Sequence, residues 1–189
     1  MSPLPRLRRF RDDEDGLVLA EFLIMLPLLI WTFMALFIYW DAFRTINQAQ
    51  KAAYAVSDLI SRQSQIDMTF VNGMQTVTEY LLSNSPDVEL RITSVEYDQE
   101  TDKMYTVFSR SPGNRMPQLT DPDLNTPHFR DRIPVMADNS TVIIVESEVA
   151  YEPALNVGIV SQDIGNFIVT RPRYEIKICL VGAPCPSQL

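Results

Sequence analysis

Histidine is almost absent, with His128 alone in 189 residues, and cysteine is limited to Cys179 and Cys185. One imidazole and two thiols exclude a multi-histidine metal site built by this chain. Five residues separate the cysteines, not the two of a redox Cys-x-x-Cys pair. Positive charge is the minority: 16 Lys and Arg stand against 24 Asp and Glu, a formal net charge of −8. A nucleic-acid binder carries a basic patch, so this balance argues against one. No P-loop, glycine-rich phosphate loop or zinc-ligand spacing is present, so no cofactor is expected. Six glycines against 13 prolines fit long elements joined by a stiff loop. The acidity is mixed with apolar runs, so disorder is not indicated. The length suggests one domain plus something extra.

That extra part is amino-terminal. Four arginines (Arg6, Arg8, Arg9, Arg11) precede four acids (Asp12, Asp13, Glu14, Asp15), and Gly16 closes this polar leader. Residues 17–40 carry a single charge, Glu21. As a helix rising 1.5 Å per residue they reach about 36 Å, enough to cross a hydrocarbon core of about 30 Å with some tilt. The arginines lie before the span, and only Arg44 and Lys51 follow within a comparable distance. That asymmetry predicts the amino terminus in the cytoplasm and the bulk of the chain outside it. The stretch is too long for the apolar region of a cleaved secretory signal, and no small-x-small site follows Tyr39.

Glu21 has two readings. A carboxylate in a membrane segment is costly and marks a functional site by default; near the interface it can instead snorkel to the headgroups at small cost. Its surroundings bear on the choice. Gly16, then Leu17-Val18-Leu19-Ala20-Glu21-Phe22, then a long apolar run resembles the start of type IV pilins and pseudopilins. The stretch from Glu21-Phe22 through Leu26-Pro27-Leu28-Leu29 resembles more particularly the TadE/TadF-like proteins of the tight-adherence (Tad, or Flp) pilus system. Ala49-Gln50-Lys51-Ala52-Ala53-Tyr54 and Thr170-Arg171-Pro172-Arg173 are also similar to that family. The resemblance is strong over residues 6–62 and vague beyond. One departure is the acidic run before Gly16, since leaders of the family keep basic residues closer to the cut.

The resemblance implies that a prepilin peptidase cuts between Gly16 and Leu17, leaving Glu21 as the fifth residue. The new α-amino group is positively charged near neutral pH. In the family Glu21 and Phe22 would serve subunit assembly, the carboxylate pairing with the amino terminus of a neighbour. A subunit out of register would bury the carboxylate unpaired and be penalised. The implied partners are the prepilin peptidase, a major pilin, other pseudopilins, the inner-membrane pilus platform and the lipid bilayer.

The rest of the chain predicts an α+β fold. Pro27 removes one helix hydrogen bond and is expected to bend the span. Ala42, Ile46, Ala49, Ala53, Val56 and Ile60 form an apolar stripe at helical spacing, so an amphipathic extension over 41–65 continues the same helix. Residues 66–189 are expected to form an extracytoplasmic domain of helix plus antiparallel sheet. Asp67 caps a helix whose apolar face is Phe70, Met74, Val77 and Leu81, ending at Ser83-Asn84-Ser85-Pro86. Strands are expected from Val88, from Met104 to Phe108, from Thr141 to Tyr151 and from Tyr174 to Val181. Residues 111–139 hold five prolines and little periodicity, and read as an exposed interaction loop or a mobile one.

Other candidate chemistry is sparse. An oxidising compartment makes a Cys179–Cys185 disulfide natural. Asp121, Asp123 and Asn125 faintly echo a calcium loop, but Thr126 and Arg132 stand where glycine and glutamate are required. Glu146 and Glu148 share one strand face, where an exposed surface explains them as well as acid–base work does. The expected function is therefore structural: a Tad-type minor pilin or pseudopilin. The alternatives are a type II secretion pseudopilin, which shares the same start, and a membrane-tethered enzyme or binding domain, for which Gly16 and Glu21 are incidental.

Overall fold

The computed structural model describes residues 15–82 and 88–185, the side chains of 15–17 excepted. The arginines and first acids of the leader, and the expected helix stop at Ser83-Asn84-Ser85-Pro86, lie outside the described residues. The architecture is α+β: a long apolar amino-terminal helix, then a small domain with a helix and a four-stranded antiparallel sheet.

The first helix, α1, spans Asp15–Ser61 and contains Pro27. Its start lies two residues before the expected one, so Gly16 and Leu17 sit within it. Pro27 has no N–H to offer the carbonyl of Leu23, which removes one rung of the helical ladder. The chain divides into two compact units, one of residues up to Ala42 with Pro153–Ile159, the other of Phe43–Glu152 with Val160–Leu189.

In the second unit, a two-residue strand β1 (Gln65–Ile66) leads to helix α2 (Met68–Leu81). The Asp67 side chain accepts from the Phe70 N–H at 2.7 Å, satisfying a helix donor that has no intrahelical partner. The buried face of α2 is Val71, Met74 and Thr78, with Leu82 just beyond the helix also buried. Phe70 and Val77 are only partly buried and Leu81 is exposed. The packed face thus keeps Met74 but is turned by about 60° from the expected stripe. Of the stripe on α1, Ala49, Ala53, Val56 and Ile60 are buried while Ile46 is exposed, and Ala52 joins them.

Strands β2 (Val88–Asp98), β3 (Lys103–Arg110), β4 (Thr141–Tyr151) and β5 (Gln162–Thr170) follow. They form one antiparallel sheet in the order β3-β2-β4-β5. Leu90, Ile92, Ile143 and Val145 pack with Val56 and Ile60 of α1 and Val71 of α2. The opposite pleat brings Val142 and Ile144 against Leu119, Leu124, Ile133 and Met136. Both faces of β4 are therefore covered, which suits its β-branched run.

The segment 111–139 is the cover of that second face rather than a free loop. It holds two short helices, α3 (Asp121–Leu124) and α4 (Pro127–Arg130). Proline opens or nearly opens each, where a missing N–H costs nothing. Its backbone is tied to β3: Asn125 Oδ1 accepts from Met104 N–H at 3.0 Å, and Asp121 Oδ1 from Thr106 N–H at 2.7 Å. The expected strand 174–181 shrinks to β6 (Cys179–Leu180), paired in parallel with β1. The true fourth strand is β5, whose interior Gly165 and Asn166 interrupt the usual strand signal.

Candidate functional site

Between Val18 and Trp40 most large side chains of α1 are exposed, among them Phe22, Ile24, Leu28, Phe33 and Leu36 at more than half of full exposure. Mean hydropathy reaches 2.3 over the best 18-residue window, of which only 6% is buried. A soluble core helix of such composition would be covered by its own protein. This one is apolar and bare, and one long apolar helix near the amino terminus fits a single-pass membrane anchor.

Glu21 and Phe22 are both exposed on this bare segment, one turn past Leu17. The helix carries them without a cap or loop, since a glutamate and its apolar neighbours are good helix formers. Directly after Pro27, Leu28, Leu29, Thr32, Phe33 and Leu36 line a shallow apolar groove. The Thr32 hydroxyl donates to the Leu28 carbonyl at 2.8 Å, which hides its polarity within the helix. The surface so formed can pack against lipid or another apolar helix, with one carboxylate near its amino-terminal end.

No family model, curated protein or solved structure matches this chain.

At the carboxyl end of α1 the structure adds a clamp that sequence reasoning missed. The Arg173 N–H donates to Ser61 O at 2.8 Å, and its guanidinium meets Asp58 Oδ1 at 2.6 Å. A terminal helix carbonyl is thereby satisfied and a cation sits at the negative end of the helix dipole. Arg173, the last residue of the Thr170-Arg171-Pro172-Arg173 stretch, thus closes on the helix end. Next to it, Val181 N–H donates to Ile66 O at 2.8 Å. Cys179 and Cys185 are joined as a disulfide, their Cα atoms 5.7 Å apart.

The remaining sequence candidates have structural employment. Glu146 is buried rather than on an exposed face: its Oε2 lies 2.7 Å from Nε of Arg91, directly across the β2–β4 register. Nη1 of Arg91 also donates to the Pro117 carbonyl at 2.6 Å, tying the covering segment to the sheet. A second shielded pair joins Lys177 Nζ to Glu96 Oε1 at 2.6 Å. Neither pair was legible, because their charges stand 55 and 81 residues apart in sequence and become neighbours only when the chain is folded. Glu148 is exposed and lines an open cleft with Glu89, Arg115 and Asp163.

Asp121 and Asn125 staple loop to strand, as above. Asp123 accepts from both the N–H and the hydroxyl of Thr120, at 2.9 and 2.6 Å; these bonds hold its carboxyl below the ordinary carboxylate range. Asp102, in the β2–β3 turn, is likewise lowered, first by the Tyr97 hydroxyl and then by Arg130. His128 sits edge-on to Phe129, ring centroids 5.2 Å apart. Among the described residues no group of three His, Cys, Asp or Glu side chains is arranged to hold a metal ion.

Proposed function

We propose that this chain is a minor pilin or assembly pseudopilin of a Tad-type pilus, structural rather than catalytic. The observation that carries the reading is one carboxylate, Glu21, placed four residues past Leu17 and five past Gly16, on an apolar helix left bare by its own protein. A bare helix of this kind needs lipid before assembly and other helices after it. Such an exchange is nearly balanced for apolar side chains, because lipid tails are as apolar as leucine. The carboxylate then supplies register. It stays near the cytoplasmic interface while the subunit is in the inner membrane and meets the cleaved α-amino group of a neighbour in the filament. The chain runs from cytoplasmic leader to extracytoplasmic domain, consistent with its arginine-rich start. Prepilin peptidase, major pilin, other pseudopilins and the inner-membrane platform are the partners this reading requires.

The test is the mature amino terminus, measured by mass spectrometry of membrane-extracted protein with and without the prepilin peptidase. A peptidase-dependent start at Leu17 is expected. An intact leader in both strains overturns the processed-pilin reading and leaves a permanently anchored domain.

A further inference from the structure

We propose that the β4–β5 connection, residues 153–159, is a second membrane contact, seated in the outer interfacial layer beside the end of the apolar helix. The proposal rests on the membrane-spanning reading of α1, though not on its being a pilin.

Along a bare segment of α1, Ile38 is 2% exposed and Ala35 9%. These positions are three apart and lie on one helix face. Apart from residues up to Ala42, their compact unit contains only Pro153–Ile159. A methyl group built on Gly158 would come within 3.8 Å of the Tyr39 hydroxyl, which places the connection against the helix at that level. The backbone of Gly158, with φ of +103°, is one that few side chains tolerate.

The level on the helix decides the environment. The uncharged stretch 22–40 lies between Glu21 and Asp41. At 1.5 Å per residue it spans about 28 Å, close to the thickness of the hydrocarbon core. Set against Trp40 as the outer end, Ile38 lies about 3 Å and Ala35 about 8 Å within the core. Tyr39 and Trp40 are the aromatic pair expected at such a boundary. A segment whose Gly158 lies against Tyr39 cannot be remote from lipid.

Its composition agrees. Residues 153–160 read Pro-Ala-Leu-Asn-Val-Gly-Ile-Val, with no charge. Leu155 is 44% exposed and adjoining Val160 67%, while Val157 and Ile159 are half-buried. Water-facing connections of this domain are built differently: the β2–β3 turn is Gln99-Glu100-Thr101-Asp102. The occupant that matches an exposed leucine and an uncharged apolar run at this depth is the boundary between headgroups and acyl chains. Irregular backbone is tolerated there because headgroup water still reaches its polar groups, as it would not at the bilayer centre.

The experiment places the photoreactive residue p-benzoylphenylalanine singly at Leu155, Leu28 or Glu100 in the full chain, both cysteines retained. Each protein is reconstituted in phosphatidylcholine–phosphatidylglycerol vesicles and irradiated, and phospholipid adducts are counted by mass spectrometry. The probe at Leu28 reports the span and that at Glu100 the aqueous background. Adducts at Leu155 about tenfold above the Glu100 level, and comparable to Leu28, are expected of a lipid-seated loop. Background yield at Leu155 with strong yield at Leu28 overturns the loop contact and leaves the span standing. Background at both overturns the span and the proposal with it.

Discussion

Replacing Glu146 by leucine tests the account of how the segment 111–139 is held on the sheet. Arg91 and Glu146 are 8% and 11% exposed at their side chains, and their charged atoms lie 2.7 Å apart. Removing one partner leaves a shielded guanidinium without its counter-charge, which costs about 3–5 kcal/mol. With a urea dependence near 2 kcal/mol per molar, the unfolding midpoint falls by about 2 M. Taking out both charges, as Arg91→Met with Glu146→Leu, removes that liability. What remains is the Pro117 carbonyl, deprived of the bond from Arg91, at a cost of about 1–3 kcal/mol. The double variant is therefore expected to be more stable than Glu146→Leu alone. The assay is urea unfolding of the full chain in detergent micelles. Both tryptophans, Trp31 and Trp40, lie in the apolar helix, so near-UV circular dichroism of the tyrosines reports on the domain better than tryptophan fluorescence. A Glu146→Leu protein within 1 kcal/mol of the parent, or a double variant less stable than the single, would refute the reasoning, the first because it means the pair is hydrated.

Three further outcomes follow from particular contacts. Leu124→Ala opens a cavity at a fully buried position and costs about 2–5 kcal/mol; limited proteolysis should then cut within 111–139 at protease levels that leave the parent intact. Asp67→Ala removes the cap of α2 and lowers stability by about 1 kcal/mol, seen as a smaller midpoint shift than either core change. Asp102 and Asp123 are held below the ordinary carboxyl value of 3.8 by their hydrogen bonds. A depressed folded-state pKa gives stability that is complete above the unfolded value and lost as pH falls through the folded one. Stability should therefore decline on acidification below about 3.8, and less steeply in Asp102→Asn with Asp123→Asn, as followed by urea midpoints from about pH 5 to about pH 2.

Much of the architecture is legible without coordinates wherever the controlling physics is local. The apolar run with its lone Glu21, the Asp67 cap and the β-branched stretch Thr141–Tyr151 each depend on residues within a turn or two. Solvation of a helix and capping of its donors are settled by near neighbours. The same locality explains the errors. Helical spacing pointed to Leu81 as core, yet the buried set is Val71, Met74 and Thr78, because the sheet beneath decides which side of α2 is covered. Strand β5 carries a glycine and an asparagine in mid-strand, and only pairing with β4 makes it a strand. The proline-rich segment looked unpatterned because its apolar residues, Leu119, Leu124, Ile133 and Met136, are spaced to fit a sheet face rather than a helix or strand of their own.

For the candidate site, the sequence alone determined the chemistry of the apolar helix: its length, its single carboxylate and the glycine before it. Those features are properties of consecutive residues and need no fold to exist. The tertiary structure decided what surrounds them. It leaves the first part of the helix bare, sets Arg173 on its far end, buries Glu146 against Arg91 and gathers residues 153–159 with the apolar helix in one compact unit. The last three join residues tens to more than a hundred positions apart, and such contacts arise from register and packing, which no local pattern encodes.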